Sequence, residues 1–232
     1  MKKFARFLEI FIRASAILLI GINLFRMFDK LSYFNFLQEP IPALLNSILL
    51  LIFGYFRNIL KYFKLEMSEL LYSLASISII LTFQIGMIFG VYQILPGYDS
   101  FAHFANGGLL VLVGLLFLSV LVKEDIRKKL SPLFIVTFAF CFAGVLGVLW
   151  EIFEYLSDGL VGSNMQRFEN IITGEVFIGR EALNDTMKDF ILNTIGGVIA
   201  SLLIYFDMKK DSPYLDNMYI KKINNDNTVE AR

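Results

Sequence analysis

Tyr98-Asp-Ser-Phe-Ala-His103 opens a run that continues through Phe104-Ala-Asn-Gly-Gly108 to Leu121 without another charged residue. It contains the sole histidine of the chain. Asp99 and His103 stand four residues apart, so a helix puts them on one face, about one turn from each other. A nearly uncharged run of roughly 20 residues is what a helix needs to cross the hydrocarbon of a bilayer. The stretch therefore predicts a membrane helix with a carboxylate and an imidazole at its entrance.

Composition extends that reading to the whole chain. Of 232 residues, 56% are hydrophobic, 24 are Phe and only 18% are charged. Soluble domains carry nearer a quarter charged residues. Here the charges sit between apolar runs, so lipid is the solvent for most of the surface. The net charge is zero, which offers no bulk attraction to nucleic acid. The single cysteine, Cys141, lies within an apolar run and can form neither an intramolecular disulfide nor a cysteine metal motif. It reads as a small hydrophobe.

Six apolar segments emerge, at about 5–25, 40–60, 70–94, 100–122, 132–156 and 189–206. The fold class expected is all-α: a polytopic membrane protein of about six transmembrane helices. The first segment follows Lys2, Lys3 and Arg6 but has no small-residue cleavage site after it, so it reads as an uncleaved helix. Glu9 and Arg13 interrupt it at a spacing that lets them pair on one face. Pro40 and Pro42 suit a helix start. Gly86 and Gly90 have the spacing that permits close helix approach, and Gln84 is expected to bond to another helix. Residues 1–95 make an N-terminal three-helix region, and 96–206 a motif-bearing three-helix core with the polar loop 157–188. Residues 207–232 form a charged, Asn-rich tail expected to lack order.

Orientation follows from the basic residues in short loops. Lys2, Lys3, Arg6, Arg57, Lys61, Lys64, Lys123, Arg127, Lys128, Lys129, Lys209 and Lys210 gather on one set of ends. Only Arg26, Lys30, Arg167, Arg180 and Lys188 fall on the other. Both termini are then cytoplasmic, which needs an even number of spans, and loop 157–188 lies outside.

With that topology three helix ends carry acids to one depth. Asp99 and His103 open the fourth helix. Glu151, Glu154 and Asp158 end the fifth on one face. Asp185, Asp189 and Asn193 open the sixth on one face. So many carboxylates in a small volume need a neutralising partner. A divalent cation, Mg, Mn or Zn, would suit oxygen ligands with one imidazole. The metal candidates are Asp99, His103, Glu151, Asp185, Asp189 and Asn193, with Glu154 and Lys188 as catalytic candidates. Gly107, Gly108, Gly144, Gly147, Gly196 and Gly197 lie on the same helices and permit tight packing. Plainer roles compete at each position. Acids at helix ends are often solvated, Asp99 suits an N-cap, Asp185 and Asp189 suit a helix N-terminus, and Trp150 suits an interfacial anchor. Ionisable groups at membrane depth nevertheless default to function.

The set Asp99-x-x-x-His103, Glu151-x-x-Glu154 and Asp185-Thr-x-Lys188-Asp189-x-x-x-Asn193-x-x-Gly196 resembles the YjdF-type bacterial membrane proteins. More distantly it is similar to VanZ-like proteins, in which Gln stands at the place of Glu154. The resemblance covers about 96–200 and implies a multi-pass protein of the bacterial plasma membrane. Three functions follow. The first is a metal-dependent enzyme acting on a lipid-linked or cell-envelope substrate, with Glu154 as general base. The second is a structural or partner-binding protein whose polar cluster ties helices together. The third is cation or proton-coupled transport, for which Glu9, Arg13, Asn23, Asn46 and Gln84 are the only residues able to continue a polar path.

Overall fold

The computed structural model describes residues 1–28, 39–170, 173–210 and 220–222. These are almost wholly helical: α1 (Lys2–Phe28), α2 (Pro40–Gly54), α3 (Phe56–Tyr62), α4 (Glu69–Ile79), α5 (Val91–Ile94), α6 (Tyr98–Leu121), α7 (Glu124–Arg127), α8 (Pro132–Val161) and α9 (Asn184–Met208). A π segment, Ile80–Ile88, continues α4. Two short strands, β1 (Leu65–Met67) and β2 (Ile220–Lys222), pair antiparallel with Glu66 opposite Lys221. Among the described residues five helices are long and apolar enough to cross a membrane, or six if the bent pair α2–α3 is one span. The protein is an all-α polytopic membrane protein.

The chain divides into two compact units. The first holds Met1–Asp99, Ser119–Arg127 and β2. Its core is Ile12, Ala16 and Leu19 of α1, Ala43 and Leu50 of α2, and Ile88 of the π segment. In α1 the buried positions Ala5, Leu8, Ile12, Ala16, Leu19 and Asn23 recur every three or four residues, one helical stripe. Phe7, Ile17, Leu18 and Phe25 point outward, as a helix facing lipid requires.

Three sequence expectations change here. The expected 40–60 helix is broken, and α2 and α3 meet at 51°. The Gly54 carbonyl accepts from Arg13 Nε at 2.7 Å, while Asn58 N turns to Tyr55 O. Arg13 thereby draws off a carbonyl the helix would have used, and it also pairs with Glu9 and reaches Asn58 Oδ1 at 2.6 Å. Next, Gly86 and Gly90 do not form a helix–helix seam. Gly86 faces the Tyr92 ring, and Gly90 is left-handed at φ +67° and ends the π segment, a conformation glycine adopts freely. Finally, in the tail expected to lack order, Ile220–Lys222 forms β2; the remainder after Lys210 lies outside the described residues. Asp29 and Lys30 also lie outside them. Gln84 accepts from Ser15 Oγ of α1 at 3.2 Å, the interhelical bond its position suggested.

The second unit holds α6 from Ser100 to Leu118 and the chain from Lys128 to Asp211. The division cuts the first turn of α6, which is one continuous helix from Tyr98. Backbone approaches backbone where glycines allow it. A Cβ at Gly107 would run into the Asn193 carbonyl of α9, and one at Gly196 into the Phe104 carbonyl of α6. A Cβ at Gly114 would meet Ala139 O of α8 at 2.6 Å. Small residues let membrane helices gain dispersion contact and pack with little separation. Gly144 faces open space and takes no part. Cys141 is exposed on α8, as are Val145, Val148, Leu149, Ile152 and Phe153.

Candidate metal centre

The α6–α9 seam decides where the polar residues meet. Because Gly107 rests on Asn193 and Gly196 on Phe104, the N-terminal halves of both helices are held together. One ligand atom each from Asp99, His103 and Asp189 then lies within 4.8 Å of the others. All three residues are buried. His103 Nε2 stands 3.6 Å from Asp189 Oδ2, too long for a hydrogen bond. Two ligands of one ion at about 2.1 Å sit roughly 3–3.5 Å apart, a little closer than these two atoms stand.

His103 Nδ1 faces Asn193 Nδ2 at 3.3 Å. Asn193 is therefore at the nitrogen turned away from Asp189. If Nε2 held a cation, Nδ1 would carry the proton and donate to an acceptor. Rotating the Asn193 amide end for end supplies that acceptor, its Oδ1. Asn193, expected among the metal candidates, thus lies beside Nδ1 of the imidazole, away from Asp189.

α8 brings two more acids. Glu151 is 4% exposed, and neither of its carboxylate oxygens has a hydrogen-bond partner. His103 and Asp185 are electrostatic neighbours of Glu151, and Gln166 and Thr186 lie beside it. Glu154 is buried and accepts from Trp150 Nε1 at 2.7 Å; Glu151, His103 and Asp189 are its electrostatic neighbours. The i,i+4 spacing of Trp150 and Glu154 made that bond legible, although the sequence suggested only an anchoring role for the tryptophan.

The remaining candidates lie further out. Asp185 is held by Arg167, with Nη1 3.8 Å from Oδ1. Lys188 is exposed while its neighbour Asp189 is buried, so it stands to the side of the cluster, about 100° round the helix from Asp189. Asp158, which shares a face with Glu151 and Glu154, is used by the loop. It accepts from Ser163 Oγ at 2.6 Å, Met165 N at 2.5 Å and Gln166 N at 2.9 Å. α8 itself ends at Gly162, left-handed at φ +66°. Those bonds place Gln166, whose amide donates to Thr186 Oγ1 at 3.0 Å, and the next residue, Arg167. Sequence reasoning missed Gln166, Arg167 and Thr186 as neighbours of the cluster. An aperiodic loop gives no spacing from which to infer them.

A family model described as a predicted membrane protein, DUF2238, matches residues 11–210. The chain belongs to the DUF2238 family. The match takes in both units and is consistent with the YjdF-type resemblance, whereas nothing supports the VanZ-like one. No curated protein and no solved structure matches the chain. DUF2238 membership thus agrees with the apolar helices on a membrane protein.

Proposed function

We propose that this membrane protein is a divalent-cation-dependent enzyme acting on a lipid-linked or cell-envelope substrate. The observation that carries the reading is the trio Asp99, His103 and Asp189, buried, drawn from two helices and with ligand atoms within 4.8 Å. Two carboxylates and an imidazole suit Mn or Zn, and Mg less closely because of the nitrogen. A cation bound there would polarise a substrate oxygen or lower the pKa of a bound water. Glu151 and Glu154, on the facing helix, supply further carboxylates. Glu154, fixed by Trp150, is the candidate general base. The bias of basic residues favours an extracytoplasmic site, where envelope lipids are available.

The test incubates metal-loaded, detergent-purified protein with an envelope lipid extract and compares products by mass spectrometry. Wild type is expected to convert a lipid-linked species; Asp189→Asn loses metal and conversion, and Glu154→Gln loses conversion but keeps metal. Identical product profiles for wild type and Asp189→Asn overturn the enzymatic reading.

A second reading has its own support. The His103–Asn193 contact lies between the same two helices that Gly107 and Gly196 press together. A polar tie between α6 and α9 with no chemistry would need no metal. It is favoured if substitutions at His103 and Asn193 lower only thermal stability.

A further inference from the structure

We infer that the site takes two divalent cations, the second held by Glu151. This rests on the cation site proposed above and extends it. Glu151 lies outside the trio whose ligand atoms cluster within 4.8 Å. Yet it is 4% exposed, and neither buried carboxylate oxygen has a donor at full hydrogen-bond distance, Thr186 and Gln166 giving it only weak, longer contacts. A buried carboxylate with neither oxygen satisfied is costly, and native structures rarely leave one without an ion, a water or a proton.

The surroundings choose among those. Besides His103, the groups about Glu151 are Asp185, Gln166 and Thr186, and the next acid on its helix face is Glu154. The cation near these four, Arg167, pairs with Asp185 and so offsets that acid rather than Glu151 or Glu154. One cation on Asp99, His103 and Asp189 balances two carboxylates, which leaves Glu151 and Glu154 unbalanced in the same buried volume. The Gln166 amide spends a donor on Thr186 Oγ1, so it faces Glu151 with its polar capacity partly used. A second ion on Glu151 would draw its other ligands from oxygens: the Gln166 carbonyl, the Thr186 hydroxyl and Asp185, which it would share with Arg167. Oxygen-only ligation selects a hard ion, Mg or Mn, and permits retained waters. The imidazole-bearing subsite beside it is the softer of the two. Paired ions about 3.5–4 Å apart are the arrangement that clamps attacking and leaving oxygens in a displacement.

The test is the manganese content and electron paramagnetic resonance spectrum of the full-length, detergent-purified protein, equilibrated with Mn and desalted. Two Mn per chain with a spin-coupled signal are expected, falling to one uncoupled Mn in Glu151→Gln. Glu151→Asp, which keeps a carboxylate, is expected to recover the second ion in part. One Mn per wild-type chain overturns this inference and leaves the single-cation site standing. No Mn overturns both. Two ions in wild type that persist in Glu151→Gln overturn the assignment to Glu151. The wild-type spectrum decides the matter even if the Gln variant does not fold.

Discussion

Asn193 meets His103 at Nδ1, 3.3 Å away, on the side of the ring turned from Asp189. The asparagine therefore controls which nitrogen is left to face the acids. Partners that orient a ligating histidine are worth roughly 10–100-fold in metal affinity. Asn193→Leu is expected to weaken Mn or Zn binding by that factor, with Asn193→Asp retaining most of it because a carboxylate accepts from Nδ1–H. Calorimetric titration in detergent reads both. Equal affinity in wild type and Asn193→Leu would remove Asn193 from the site.

The glycine seam makes a stability prediction. Gly107→Ala and Gly196→Ala each drive a methyl into a backbone carbonyl of the facing helix. Backbone cannot rotate aside, so each is expected to destabilise by about 1–3 kcal/mol or more, as overpacking does. Gly144→Ala, facing open space, serves as the control and is expected to be neutral or slightly stabilising, because alanine is the better helix former. Thermal unfolding in detergent separates them. Equal melting temperatures for all three would mean the helices are not in backbone contact.

Asp158 carries the loop. Three donors converge on its carboxylate, and hydrogen bonds to a charged acceptor contribute about 1.5–3 kcal/mol each. Asp158→Ala is expected to open residues 163–170 locally while the helices stay folded. Hydrogen exchange by mass spectrometry should show faster exchange confined to that segment. Unchanged protection there would mean the loop is held by something else.

How far the sequence foretold this structure depended on periodicity. Apolar runs located all the long helices, because about twenty uncharged residues have few alternatives. The i,i+4 spacing put Asp99 and His103 together, and the glycines marked the α6–α9 contact. What escaped notice depended on contacts between distant residues. The break at Tyr55 arises from Arg13, 41 residues before Gly54. The π segment hides within an unbroken apolar run, since i→i+5 and i→i+4 bonding share one composition. Lys188 and Asp189 are adjacent in sequence, yet one is exposed and the other buried. Asn193 shares a helix face with Asp189, yet only the seam shows that it meets the other nitrogen of the imidazole.

Orientation can be tested by single cysteines in a Cys141→Ser background. Lys129→Cys and Glu181→Cys both place a thiol at exposed positions. The basic-residue bias predicts that a membrane-impermeant maleimide added to intact cells labels Glu181→Cys and spares Lys129→Cys until the membrane is permeabilised. The reverse pattern would invert the topology.

The buried trio is put to the test most directly by the metal content of the purified wild-type protein beside His103→Ala, measured by inductively coupled plasma mass spectrometry after equilibration and desalting. At least one Mn or Zn per chain is expected in wild type, with a near-complete loss in His103→Ala that remains folded by circular dichroism. A wild-type protein that retains no more metal than the variant would contradict the proposed cation site.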